Sequence, residues 1–242
     1  MKKNPFRFFN KSYWLRRFYI SNISNIFVSN KIKRKNIFKH IYFSSHWQNY
    51  FKISKNKSVS GPGSDLESTN KLSNELIYFL KKYNIKKILD IGCGDFLWMN
   101  LLLNKYNDYE SYLGLDIVDE LIVKNNNNYS NNKILFKKFD LVEDKIENGF
   151  DLILVRDVFI HLKNDQILNF LNKIKKNDST FFGVTSSPKL KINRDLKVEG
   201  RYRDINIEIS PYNLNNYLTK IIEGSIEEDS LNIYKINNLI NN

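Results

Sequence analysis

Apolar positions along this chain alternate between two periods. Short runs rich in aliphatic, β-branched and aromatic residues recur at 87–91 (KILDI), 112–117 (YLGLDI), 134–139 (ILFKKF), 150–157 (FDLILVRD) and 180–185 (TFFGVT). Runs of this kind, bounded by polar or glycine-bearing turns, predict strands buried on both faces. Between them the spacing becomes helical. Leu72, Leu76, Phe79 and Leu80 share one face of a helix that starts at Ser64 or Asp65, after Gly61-Pro62-Gly63, and runs to about Tyr83. Ile167, Phe170, Leu171 and Ile174 do the same over about 164–175. Shorter helices are predicted at 96–106 and 119–124, with a polar asparagine loop at 125–128. Two further short strands, near 221–226 and 231–236, bring the sheet to seven strands. The alternation predicts one α/β domain over about residues 40–242, a mostly parallel sheet with helices on both faces.

Charge changes this picture at one end only. The formal charge is +12, yet residues 1–64 hold 14 lysines and arginines and no acid, while residues 65–242 hold 24 basic and 26 acidic residues. The excess therefore belongs to an N-terminal arm, taken as residues 1–39, and a whole-chain argument for nucleic-acid binding fails. The arm has no window of the roughly 18 uninterrupted apolar residues that a spanning helix needs. It also lacks the apolar segment and small-residue cleavage site of a signal peptide. A helix over about 12–28 groups Trp14, Phe18 and Tyr19 with Arg16 and Arg17. Three readings stay open: a helix packed on its own domain, peripheral contact with a membrane, or contact with nucleic acid, which the near-neutral remainder disfavours. The single cysteine, Cys93, excludes an internal disulfide and a cysteine-built zinc site, and fits a reducing, cytoplasmic setting.

Candidate chemistry gathers at the carboxyl ends of the strands, where such sheets bind ligands. Gly92 and Gly94 follow the first strand, so a ligand can approach bare backbone there, and the next helix offers free N–H groups. Asp116 ends the second strand, at the separation expected of an acid that binds ribose hydroxyls. The dinucleotide fingerprint wants a third glycine at position 97, which is Leu97, and no phosphate-loop motif is present.

As an ordered set, D-I-G-C-G-D at 90–95, Asp116, F-D-L at 139–141 and F-D-L-I-L-V-R-D at 150–157 resemble the successive motifs of class I S-adenosylmethionine-dependent methyltransferases. The resemblance covers about residues 40–242 and implies a Rossmann-like fold. It departs at Phe96, where the family often has a third glycine. The segments S-G-P-G-S at 60–64, D-F-x-W-M at 95–99 and R-D-x-x-x-H at 156–161 are similar to a bacterial subgroup associated with surface-polysaccharide or related small-molecule modification. The resemblance implies S-adenosylmethionine as cofactor. It implies that Asp90 holds the cofactor's ammonium, that Gly92, Cys93 and Gly94 face its methionyl and ribose parts, and that Asp116 takes the ribose diol. Asp140 and Leu141 would face the adenine edge, with Ile117 and Arg156 completing the set. Cys93 reads as a small wall residue.

Methyl transfer needs in-line attack, so the protein positions two reactants and removes one proton. Asp157 ends the fourth strand and His161 lies four residues on, which suits a histidine base oriented by, or alternating with, a carboxylate. His40 and His46 are worse placed, and no set has metal-ligand spacing. The insertion at 186–212 brings Arg201, Tyr202 and Arg203 as acceptor-side candidates, whose arginine forks suit phosphate or carboxylate. The expected activity is O-methylation of a saccharide or small phosphorylated metabolite. The alternatives are an RNA methyltransferase that uses the basic arm, and a nucleoside-binding domain without turnover.

Overall fold

Strand β1 (Lys87–Ile91) lies buried between two parallel neighbours, β2 (Ser111–Asp116) and β4 (Leu152–Val155). The computed structural model describes residues 29–44, 58–223 and 229–239. In it β3 (Ile134–Lys138) flanks β2, and β5 (Phe181–Ser186) flanks β4, also in parallel. The last two strands, β6 (Thr219–Glu223) and β7 (Asp229–Lys235), form an antiparallel hairpin. β7 inserts beside β5, giving the order β3-β2-β1-β4-β5-β7-β6. The sheet is thus seven-stranded and mostly parallel, as the pattern predicts, and the fold is Rossmann-like. Strand order reverses between β1 and β4, which places the ligand crevice beyond their carboxyl ends.

Alternation along the strands builds two cores. Ile88, Tyr112, Phe136, Leu152 and Leu154 meet α2 (Leu66–Lys82) and α3 (Leu97–Lys105) on one face. Leu89, Ile91, Leu113, Ile153, Val155 and Phe182 meet α5 (Asn164–Ile174) on the other. The apolar stripes predicted at 72–80 and 167–174 are the ones that face the sheet. A short helix α6 (Ile236–Leu239) follows β7.

Two elements differ from expectation. The asparagine run at 125–128 is not a loop, because α4 extends over Asp119–Tyr129. Asn125 is buried in it and donates from Nδ2 to the Gly94 carbonyl at 2.8 Å, while Asn126 donates to the Phe136 carbonyl at 3.0 Å. These tertiary bonds offset asparagine's weak helix propensity. Helix α1 (Asn30–Phe43) runs across the boundary drawn at residue 39 and buries Arg34 and Ile41. The aromatic segment at 12–28, His46 and the distal part of the strand drawn at 221–226 lie outside the described residues. Among the described residues no helix is long and apolar enough to cross a membrane.

Candidate functional site

The turn after β1 is shaped by close approach of the chain to itself. Gly92 and Gly94 have φ of +86° and +56°, where a side chain is strained. A Cβ on Gly92 would lie 2.2 Å from Val158 Cγ2, and one on Gly94 2.3 Å from Ser60 Oγ. The two glycines therefore admit the loops after β4 and before α2 as much as any ligand. Ser60 Oγ also accepts the Asp95 N–H at 2.9 Å, and the Val59 N–H and Ser58 hydroxyl donate to Asp95 Oδ2, both at 2.8 Å. Phe96, at the position where the resemblance leads one to expect a third glycine, has φ +62° and ψ +7°. This left-handed conformation costs a side-chain-bearing residue about 1–2 kcal/mol. Its ring packs at 4.9–5.2 Å from Tyr112, Tyr129 and Phe136, which offsets that cost.

Asp116 terminates β2 at the same turn. The Gly94 N–H donates to its Oδ2 at 3.1 Å and the Val118 N–H to its Oδ1 at 3.0 Å, fixing the carboxylate at the cavity wall. Burial pushes its pKa up to about 6 against the pull of these backbone bonds. Asp90 sits deeper, on the α3 side of β1, and accepts the Tyr112 hydroxyl at 2.6 Å. Burial pushes Asp90 up to about 6 as well, with the Tyr112 bond and Arg156 opposing. Cys93 is buried, and burial raises its thiol well above the ordinary value, as befits a wall residue that stays protonated.

The loop after β3 revises one expectation. Asp140 lines the cavity, but its carboxylate is taken up by Arg34 of α1: Nε lies 3.1 Å from both oxygens and Nη2 3.0 Å from Oδ2. The Val142 N–H adds a fourth contact at 3.0 Å. A carboxylate offers about four lone-pair sites, so direct contact between Asp140 and an adenine edge is replaced by a charge-fixed turn. The Leu141 backbone and apolar Phe139 and Val142 then face the cavity.

Beyond β4, Asp157 has φ +56°, a strained value at a candidate functional position. Its N–H donates to Thr185 Oγ1 at 2.9 Å, and that hydroxyl donates to Asp157 Oδ1 at 3.2 Å. Arg156 Nη1 lies 3.2 Å from Asp157 Oδ2, its Nη2 donates to the Gly63 carbonyl at 2.8 Å, and its Nε to Glu223 at 3.1 Å. Trp98 stacks 5.1 Å from the guanidinium. Arg156 is thus a buried tie between the β4, β6 and 60–64 segments that also lines the cavity. A 3₁₀ turn at Phe159–His161 carries His161 to the same cavity. His161 Nδ1 lies 3.1 Å from the Arg201 carbonyl. A carbonyl only accepts, so this contact puts the proton on Nδ1 and leaves Nε2 as the basic nitrogen.

The three acceptor-side candidates separate. Arg203 donates to the Leu162 carbonyl at 2.7 Å, to Asn164 Oδ1 at 2.7 Å and to the Arg194 carbonyl, so its fork braces the insertion and is not presented to an anion. Tyr202 donates to Asp204 at 2.7 Å. Arg201 is exposed and touches the site through its carbonyl.

One cavity therefore joins Gly92, Asp116, Ile117, Asp140, Leu141, Arg156, Asp157 and His161, while Asp90, Cys93 and Gly94 lie behind its wall. Sequence reasoning missed Arg34, Phe38 and Tyr42, which line it from α1. Their spacing of four was the available signal, but a stripe of Arg, Phe and Tyr is not an apolar stripe.

Residues 88–177 match a methyltransferase domain model. No curated protein matches the chain in sequence. Among solved structures, the mitomycin 7-O-methyltransferase MmcR is similar at 14% identity and a TM-score of 0.60, over 92% of this chain and 67% of that one. The magnesium protoporphyrin IX methyltransferase of Synechocystis PCC 6803, with bound S-adenosylhomocysteine (SAH), aligns at 14% identity and a TM-score of 0.57, over 82% and 98%. The methyltransferase domain of bacterial CtHen1 aligns at 18% identity and a TM-score of 0.54, over 69% and 99%. The residues present fit S-adenosylmethionine: Asp116 brings a backbone-held carboxylate to the cavity beside Gly92, placed for a diol, and the buried Asp90 carboxylate stands behind that turn.

Proposed function

We propose that this chain is a class I S-adenosylmethionine-dependent methyltransferase that methylates a hydroxyl oxygen of a saccharide or small phosphorylated metabolite, in surface-polysaccharide type modification. The methyltransferase domain match over residues 88–177 and the fold support the reading. One observation carries the reading: the cofactor-side Asp116 and Gly92 share a cavity with Asp157 and His161. When bound, S-adenosylmethionine supplies an electrophilic methyl group. Asp116 orients the ribose and Asp90, behind the Gly92 turn, attracts the ammonium. His161 Nε2 takes the acceptor's proton as the carbon–oxygen bond forms, and Asp157, held by Thr185 and Arg156, orients the acceptor or stabilises the imidazolium. Arg201 supplies the cation for an anionic acceptor. The basic, aromatic residues 1–39 bring the enzyme to an anionic membrane surface in the cytoplasm. Lys31, Arg34, Lys35 and Lys39 are paired within the fold, so contact of the arm with a membrane, or with RNA in the alternative reading, falls to the basic residues that precede them.

The test is mass spectrometry of the full chain incubated with S-adenosylmethionine and either extracted cell glycans or nucleotide sugars. The expected product gains one methylene net on a hydroxyl. Methylation found only on RNA contradicts the saccharide reading.

A further inference from the structure

Helix α1 presents two stripes of side chains, each repeating every four residues. Arg34, Phe38 and Tyr42 face the cavity. Arg34 grips Asp140 at one end, and the Phe38 ring meets that of His161 edge-on at 6.0 Å in the middle. At the other end the Tyr42 hydroxyl and Ser60 both lie against Gly94. On the adjoining flank, Lys31, Lys35 and Lys39 pair with Asp144, Asp119 and Glu120.

The acids of this rail sit on the two segments that follow β2 and β3, next to the cofactor-side candidates Asp116 and Asp140. Asp119 and Glu120 open α4 just beyond Asp116. Asp144 accepts the Asp140 N–H at 2.9 Å. Arg34 adds Glu143 at 2.9 Å and, from the insertion, Glu199 at 3.4 Å.

We propose that α1 is a charge-fastened clasp over the bound cofactor, with Arg34 as the positioning residue that sets the Asp140 turn. The proposal rests on the methyltransferase reading. Single exposed pairs contribute little, but three in register, together with a buried arginine fork, hold one helix against both cofactor loops. Closing such a wall excludes water and retains the ligand, so opening of α1 governs its release. Because the rail is half-exposed to solvent, rising ionic strength weakens it.

The test is SAH dissociation from the full chain, followed as release of the radiolabelled ligand over a series of salt concentrations. Higher salt speeds release from the unmodified protein. The triple variant Lys31→Ala, Lys35→Ala, Lys39→Ala releases SAH roughly fivefold to thirtyfold faster and loses most of the salt dependence. Lys35→Asp alone speeds release, and adding Asp119→Lys brings the rate back toward the original. Arg34→Ala weakens SAH affinity by roughly tenfold to a hundredfold, as loss of a charge-assisted bond does. Adding Asp140→Asn, which removes the buried charge left behind, restores the melting temperature but not the affinity. Unchanged release from the triple-lysine variant, or full recovery of affinity in the Arg34–Asp140 double variant, overturns the clasp alone. A full chain that binds no SAH overturns the methyltransferase reading and the clasp with it.

Discussion

The Tyr112 hydroxyl donates to Asp90 Oδ2 at 2.6 Å across the β1–β2 pair, with both groups sealed from water. This bond stabilises the ionised carboxylate against burial, so Tyr112→Phe pushes Asp90 above its value of about 6. The cofactor's ammonium favours ionised Asp90. SAH affinity in Tyr112→Phe should therefore fall most near pH 6, with the midpoint of its pH profile moved upward. Calorimetry from about pH 5 to about pH 8 checks this, and an unmoved midpoint removes Asp90 from the ammonium site.

Asp90 and Asp116 both have folded pKa values of about 6, above the unfolded value of 3.8. Their burial is therefore tolerated while they are protonated and grows costly as pH rises from about 4 to about 6, a penalty complete above that window. Ammonium and hydroxyl groups of the ligand favour the ionised forms, so SAH binding at pH 6 should release protons. Calorimetry in buffers of different ionisation enthalpy reads the number directly. No release at pH 6 shows that neither carboxylate meets the ligand.

Arg156 is buried among Glu223, Asp157, Trp98 and the Gly63 carbonyl. Arg156→Ala leaves Glu223 buried without its cation and should cost about 3–5 kcal/mol of stability. Arg156→Met with Glu223→Gln should cost clearly less. Urea unfolding of the two variants gives the comparison, and equal losses would mean that the arginine's packing, not its charge, matters.

His161→Ala should lower turnover with the true acceptor by roughly 10²–10⁴-fold, the range for a positioned base, while SAH affinity changes little. Single-turnover methyl transfer separates the two effects. Near-normal turnover leaves proton removal to Asp157.

Legibility from sequence followed the physics of each element. Lys87–Ile91 was readable to the residue, because a buried parallel strand is a continuous apolar run ended by glycine. The cavity positions of Asp116 and Asp157 were readable as well, since strand ends in such a sheet point at the crevice, and His161 follows on the next turn. The helix over Asn125–Asn128 was not, because its support comes from side-chain bonds to Gly94 and Phe136, distant in sequence. Nor was Arg34, whose meaning depends on an acid 106 positions away. Arg203 resembled a free anion fork and proved to be a brace, since carbonyl partners leave no trace in residue type. Phe96 holds a glycine-like conformation that only the backbone reveals.

Calorimetric titration of the full chain with SAH and, separately, with a nicotinamide dinucleotide tests the central claim most directly. SAH should bind at one site per chain, Asp116→Ala should weaken it by about 1–3 kcal/mol, the scale of lost charge-assisted hydrogen bonds, and the dinucleotide should give no heat. Binding of the dinucleotide in place of SAH, or SAH binding untouched by Asp116→Ala, would contradict it.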